Sequence, residues 1–260
     1  MTLHYEVGGE GPAVVLLHEG ICDSRMWDPQ WDALTARYCA VRLDFPGFGQ
    51  SELRPGRQCL AEDVMSTLDL LEIGEAAFVA ASLGGRVALE LAVGRPERVS
   101  ALMLVGSGIL GHEWSEPVQV YAAEEERALE RSDLDGAVET NLRMWVDGPH
   151  RSPSDVDPAV RAAVGEMQRV ALEAWLRGGD DVDEEALVPD IAARLAEIRA
   201  PALVLVGELD VDDIHVIASR LRSEIPDARY GVIPGTAHVP NMERPDEFNK
   251  LLLGFLAETV

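Results

Sequence analysis

The stretch that most constrains the fold is residues 76–92, Ala76-Ala77-Phe78-Val79-Ala80-Ala81-Ser82-Leu83-Gly84-Gly85-Arg86-Val87-Ala88-Leu89-Glu90-Leu91-Ala92. Ala77 to Ala81 is a short apolar run of the kind that forms a strand buried on both faces. From Val87 the chain continues in good helix formers, so a helix follows at once. Ser82 stands at the break, with Ala80 two residues before it and Gly84 two residues after. So abrupt a strand-to-helix turn needs small residues at both places, and it lifts the serine hydroxyl clear of the sheet as a nucleophile elbow. Glycine is usual at both; Ala80 departs from that and still meets the steric need. The turn also aims the Leu83 N–H, backed by the partial positive charge of the helix start, at a developing oxyanion. A plain N-cap role for Ser82 fits the same residues, so the rest of the chain has to decide.

The chain of 260 residues is long enough for one large α/β domain or two small ones, and its 47% hydrophobic content supports a sizeable core. A formal charge of −24 argues against nucleic acid and against anionic membrane surfaces as partners. The three cysteines, Cys22, Cys39 and Cys59, form no Cys-x-x-Cys or Cys/His cluster, so neither a disulfide framework nor a metal site is expected. A cytoplasmic location fits this. The start, Met1-Thr2-Leu3-His4-Tyr5-Glu6, lacks the basic and apolar blocks of a signal peptide, and no run is long and apolar enough for a membrane helix.

Taken in order, residues 3–7 and Ala13–Leu17 read as two strands joined as a hairpin, with His18-Glu19-Gly20 directly after the second. A short helix over 31–38 and a strand over 40–43 lead to the glycine-punctuated loop Asp44-Phe45-Pro46-Gly47-Phe48-Gly49-Gln50-Ser51. Leu60–Leu71 has helical spacing, and Ala101–Val105 is a further buried strand. Residues 111–190 carry no strand-like run and read as an inserted helical cap, between core segments 1–110 and 191–260. Strands at 201–206 and 229–233 and helices at 214–221 and 245–256 close the chain. Strands alternating with helices predict an α/β fold: a mostly parallel central sheet with helices on both faces.

An activated serine needs a base, and the base needs a group to orient it. Of six histidines, His238 follows the last strand inside Gly235-Thr236-Ala237-His238, where a glycine-bearing loop can hold an imidazole over the sheet edge. His18 reads as structural, His215 as a solvated helix residue, and His4, His112 and His150 as surface or cap residues. The acid should also follow a strand. Asp210, behind Gly207, is the first choice, with Asp212 and Asp213 as neighbouring alternatives. The order Ser82, Asp210, His238, each after a different strand, is that of a Ser-Asp-His hydrolase.

These pieces, with Leu16-Leu17-His18-Glu19-Gly20 and Glu243-Arg244-Pro245, resemble the α/β-hydrolase fold superfamily over nearly the whole length. Arg25-Met26-Trp27-Asp28-Pro29-Gln30 is similar to the stretch after the oxyanion loop of cap-bearing esterases and lactonases, including 3-oxoadipate enol-lactonase. The resemblance implies a serine hydrolase of the carboxylesterase or lactonase type, without metal or cofactor, acting on a small ester or lactone. It makes the Gly20 N–H the second oxyanion donor beside Leu83. Glu19 stands where the family usually has glycine; a carboxylate there disfavours anionic substrates. It also implies a chain that begins at the second strand of the usual N-terminal hairpin, with a shortened sheet edge. Trp27 and Phe48, after site-facing loops, and Trp145, in the cap, join Glu19 as substrate-contact candidates. Serine at the elbow excludes the alkyl-ester chemistry of dehalogenases and epoxide hydrolases. Carbon–carbon bond hydrolysis, cofactor-free perhydrolysis, and a receptor role with slow turnover and an apolar partner patch on the cap remain open. Trp114, Met144, Trp145, Met167 and Trp175 could pack the cap, line an acyl pocket or form that patch.

Overall fold

The computed structural model describes residues 3–260; Met1 and Thr2 lie outside it. Seven strands form one sheet: β1 (Tyr5–Gly8), β2 (Ala13–Leu17), β3 (Cys39–Leu43), β5 (Ala76–Ala81), β6 (Val99–Val105), β8 (Ala202–Gly207) and β9 (Ala228–Ile233). Their spatial order is β1-β3-β2-β5-β6-β8-β9, parallel except for the edge strand β1, which runs antiparallel to β3. The expected hairpin between the first two strands does not form, because β3 lies between them and pairs with both. Strand choice of this kind is settled by tertiary packing, which local turn residues do not report.

Alternate residues of each central strand enter opposite cores. Val15, Leu17, Phe78, Ala80, Leu102 and Leu104 pack on one face; Val14, Leu16, Ala77, Val79, Ala101 and Met103 pack on the other. That period of two is why these strands read as unbroken apolar runs. Helices α2 (Leu60–Leu70), α3 (Leu83–Gly94) and α7 (Asp212–Glu224) cover the first face through Leu68, Leu89 and Ile217. Helices α1 (Asp28–Thr35) and α9 (Pro245–Thr259) cover the second through Leu34 and Phe248.

Between β6 and β8 the chain forms α4 (Glu116–Glu130), α5 (Leu134–Asn141), a π-helical turn at Leu142–Asp147 and α6 (Pro158–Gly178). One detail corrects the expectation of a strand-free segment. β7 (Val182–Glu184) pairs in parallel with β4 (Gly56–Gln58), and the pair is backed by the Arg86–Glu184 ion pair. A three-residue strand is too short to show an alternation pattern.

The topology places the site. From β2 the chain steps outward to β3, then returns to lay β5 on the other side of β2. The loops after β2 and β5 therefore diverge at their carboxyl ends, leaving the crevice in which α/β sheets build binding sites. His18-Glu19-Gly20 and Ser82 occupy those two loops. No helix among the described residues is long and apolar enough to cross a membrane.

Candidate active site

Ser82 has φ 46° and ψ −105°, a region that costs a non-glycine residue roughly 1–3 kcal/mol. The surroundings hold it there. Its N–H donates to the Val105 carbonyl at 2.9 Å, and its own carbonyl accepts from Arg86 and Gly108, each at 3.0 Å. The Gly84 N–H donates to the His18 carbonyl at 3.0 Å, fastening the elbow to the loop after β2. A Cβ on Gly84 would stand 2.5 Å from the Leu17 carbonyl oxygen, so the close approach of α3 to β2 demands glycine there. Gly20 lies beside this turn: a Cβ on it would be 4.0 Å from the Leu83 Cβ. Among the described residues neither the Gly20 nor the Leu83 N–H donates to a protein acceptor.

Asp210 and His238 follow β8 and β9. Both are almost fully buried, and the His238 Nδ1–H donates to Asp210 Oδ2 at 2.8 Å. Asp210 Oδ1 accepts from the Val211 N–H at 2.8 Å, which fixes the carboxylate plane. Asp213, the neighbouring alternative, is turned away: it accepts from the Ser115 N–H at 2.8 Å and lies 2.9 Å from His112 Nε2. Asp212 is exposed. Gly106, at φ 51°, follows β6 directly; a Cβ there would lie 3.0 Å from the His238 ring. The backbone N–H of His238 donates to the Trp145 carbonyl at 3.1 Å, and the Trp145 ring packs against the imidazole, tilted by 40° with centroids 4.6 Å apart.

The other edge of the ring meets Glu19. His238 Nε2 is 3.8 Å from Glu19 Oε2. No hydrogen bond joins His238 Nε2 to the Ser82 hydroxyl among the described residues. Burial pushes the Glu19 carboxyl up to about 7, against the lowering pull of His238. Burial alone would lower His238, but the charges of Asp210 and Glu19 outweigh it and raise the imidazole to about 9. His18 plays the structural part: its Nε2 accepts from the Phe45 N–H at 2.9 Å, so its Nδ1–H donates to the Glu19 carbonyl at 2.7 Å. Burial lowers its basicity, and with both nitrogens engaged it has no lone pair to offer.

The remaining candidates divide. Trp27 is fully buried, its ring tilted against that of Phe248 at 6.2 Å in the core under α9. That placement removes it from substrate contact, because the helical turn Ser24–Trp27 directs its side chain inward. Phe48 packs on the His18 ring at 5.0 Å and is 7% exposed, a support for the loop after β2. Trp145 borders an apolar cavity of about 320 Å³ with Trp114, Val118, Tyr121 and Met144. A larger, more open groove of about 760 Å³ runs between α4 and α5 and includes none of the strand-end residues. Met167 is buried and Trp175 partly exposed. Cys22 is buried, its thiol donating to Glu19 Oε1 at 3.3 Å.

Two residues beside the site form a pair that the sequence does not reveal. Arg151 donates to the Gly235, Val146 and Asp147 carbonyls at 3.0, 2.7 and 2.8 Å, and to Glu243 at 2.6 Å. Glu243 also accepts from the Ala237 N–H at 2.8 Å. This pair locks the His238 loop to the π-helical turn that carries Trp145. The Glu243-Arg244-Pro245 motif pointed to the place, but nothing local named Arg151 as the partner.

A family model described as "Alpha/beta hydrolase family" matches residues 14–251. The chain is 30% identical over 264 residues to a pimeloyl-[acyl-carrier protein] methyl ester esterase of Yersinia enterocolitica, covering 99% of this chain and 98% of that protein. It is 27% identical over 259 residues to 3-oxoadipate enol-lactonase 1 of Acinetobacter baylyi, covering 98% and 93%. Among solved structures, the enol-lactonase from Burkholderia xenovorans matches with a TM-score of 0.80 and 26% identity, over 98% of this chain and 96% of that one.

Proposed function

The chain belongs to the alpha/beta hydrolase family, and from that premise we propose that it is a serine hydrolase cleaving a carboxylic ester or lactone through an acyl-serine. The observation that carries the reading is Ser82, held at a strained φ of 46° on the turn between β5 and α3. Strain of this kind persists only where the surroundings over-determine it, and it collects at working sites.

In this reading Ser82 Oγ attacks the carbonyl carbon while His238 Nε2 takes the hydroxyl proton. Asp210, already bonded to Nδ1, keeps the imidazole in the required tautomer and stabilises the imidazolium. The carbonyl oxygen becomes an oxyanion between the Gly20 and Leu83 amides, each contributing roughly 3–4 kcal/mol to the transition state. The imidazolium returns its proton to the leaving oxygen. Water then repeats the sequence on the acyl-serine, with His238 again as base. The chemistry needs neither metal nor organic cofactor. The apolar cavity beside Trp145 supports a small apolar acyl group, and the Glu19 carboxyl supports a neutral one.

The test is labelling of the purified chain with a fluorophosphonate probe, alongside p-nitrophenyl acetate hydrolysis, with Ser82→Ala as control. Labelling and turnover that both vanish in the variant are expected. Turnover that survives in folded Ser82→Ala would overturn the assignment of the nucleophile.

A further inference from the structure

Glu19 is a buried carboxyl group for which the hydrolase mechanism has no use. It is 1% exposed. Its Oε2 has no hydrogen-bond partner and points at His238 Nε2, 3.8 Å away. The residue is held from three sides: Oε1 accepts the Cys22 thiol, and the Glu19 carbonyl accepts the His18 Nδ1–H at 2.7 Å and the Cys22 N–H at 3.2 Å. The imidazole therefore stands between two carboxyl groups, Asp210 at Nδ1 and Glu19 at Nε2, with the uncharged Trp145 ring on its face. The other titratable groups near the loop take no part in the exchange. Burial and the neighbouring Glu19 drive the Cys22 thiol well above its ordinary range, so it stays protonated. His18 is neutral with both nitrogens bonded. Asp23 is paired with Arg25 at 2.8 Å.

Resting on the hydrolase reading, we propose that Glu19 is a positioning residue that shares one proton with His238 Nε2, so that the base of the triad is occupied at rest. In the resting form an imidazolium lies between two carboxylates, with a net charge of minus one for the three groups. Once the 3.8 Å gap closes to hydrogen-bond distance, passage of the Nε2 proton to Glu19 Oε2 leaves a neutral imidazole and a carboxylic acid at the same net charge. Only then is the Nε2 lone pair free to take the proton from Ser82 Oγ as Oγ bonds to the carbonyl carbon. Loss of the shared proton to solvent frees the same lone pair. Nothing is oxidised or reduced. Glycine at this position, as in the usual family pattern, would leave Nε2 open to serine throughout. The elevated basicity of both groups, about 7 for Glu19 and about 9 for His238, accords with a proton held between them near neutral pH.

The experiment is the pH dependence, from pH 5 to 10, of fluorophosphonate labelling of the full chain, for wild type and Glu19→Gln. The substitution keeps the shape and removes the charge that holds the proton on Nε2. The acid limb is expected to move at least one pH unit lower, and labelling at pH 7 to rise roughly tenfold, one unit being tenfold in protonation. A merely structural glutamate would change the plateau and leave the limb in place, so superimposable limbs would overturn the proposal. Should Glu19→Gln fail to fold, Glu19→Met takes its place with the same two outcomes. On the wild-type chain, the ring-nitrogen NMR signals of His238 should show Nε2 protonated at pH 7; a neutral ring would overturn it equally. Ser82→Ala separates the two readings. Its labelling must vanish in either background, and if it does not, the hydrolase reading has failed independently of Glu19.

Discussion

Removing Glu243 should unlatch the histidine loop, at a cost that can be worked from its contacts. The Arg151 and Glu243 side chains are only 9% and 7% exposed, and two guanidinium nitrogens meet the two carboxylate oxygens at 2.6 and 3.2 Å. Breaking a buried pair by deleting one partner costs about 3–5 kcal/mol, because the other charge stays buried. Three carbonyls still receive Arg151, which places the ionic loss at the lower end, about 3 kcal/mol. Glu243→Ala also strips the acceptor from the buried Ala237 N–H, adding about 1 kcal/mol. A total near 4 kcal/mol corresponds to a fall in Tm of roughly 8–16 °C for a chain of this size. Equilibrium urea unfolding followed by tryptophan fluorescence reads it directly. The double variant Arg151→Met/Glu243→Met decides the cause. With both charges gone it should lose at least about 1.5 kcal/mol less than the two single methionine variants summed. Additive losses, or a Glu243→Ala cost below about 1 kcal/mol, would refute an energetically coupled buried pair.

Ser82→Gly relieves the backbone at φ 46° and should raise stability by about 1 kcal/mol, or roughly 2–4 °C in Tm, while abolishing labelling; a lowered Tm in calorimetry would contradict the strain. Trp145→Ala removes the ring from the face of His238 and enlarges the cavity of about 320 Å³. It should cut kcat/KM for short apolar esters at least about tenfold, or about 1.4 kcal/mol, with a smaller loss for longer acyl chains in an ester series. The buried acid–base pair also sets a pH trend. Glu19 and His238 both hold their protons more tightly folded than unfolded, so their contribution is full at low pH. It is lost as pH rises, through about 7 for Glu19 and about 9 for His238. Urea unfolding at a series of pH values should show Glu19→Gln losing less stability than wild type between pH 5 and 9; parallel curves would rule this out.

Much of this was legible in the sequence because the fold writes its centre in contiguous runs. Ala77–Ala81 is buried on both faces, so its apolar run, the small residues beside Ser82 and the helix formers after it all speak of one local event. Asp210 and His238 could be found for the same reason, each standing a few residues beyond such a run. What could not be read depended on pairing at a distance. Residues 3–7 and 13–17 look like hairpin arms, yet β3 comes between them, a choice made by the whole sheet. The loop of Trp27 faces the site, but one helical turn carries its side chain into the core against Phe248. That Asp213 is engaged by His112 and Ser115, away from His238, is visible only in the folded chain. Arg151 and Glu243 are 92 residues apart, and no local pattern links them.

The position of Glu19 follows from the same division of labour. The sheet fixes backbone at its carboxyl ends: Gly84 against Leu17 and Gly207 against Ala237 leave no room for a Cβ, and at Gly106, with φ 51°, a Cβ would press on the His238 ring at 3.0 Å. Substitution at any of them displaces backbone or the imidazole. Position 19 is different in kind, since its side chain enters the crevice instead of the sheet. A residue there can change while the elbow and the Asp210–His238 pair stay where they are. The strands and tight glycines thus hold the Ser82 turn and the Asp210–His238 pair in place, and a crevice residue such as Glu19 can vary against them. In the proposed mechanism every proton passes through His238 Nε2, the atom that the Glu19 carboxyl faces at 3.8 Å, so a single substitution at 19 should retune the pH dependence and leave Ser82, Asp210 and His238 in place.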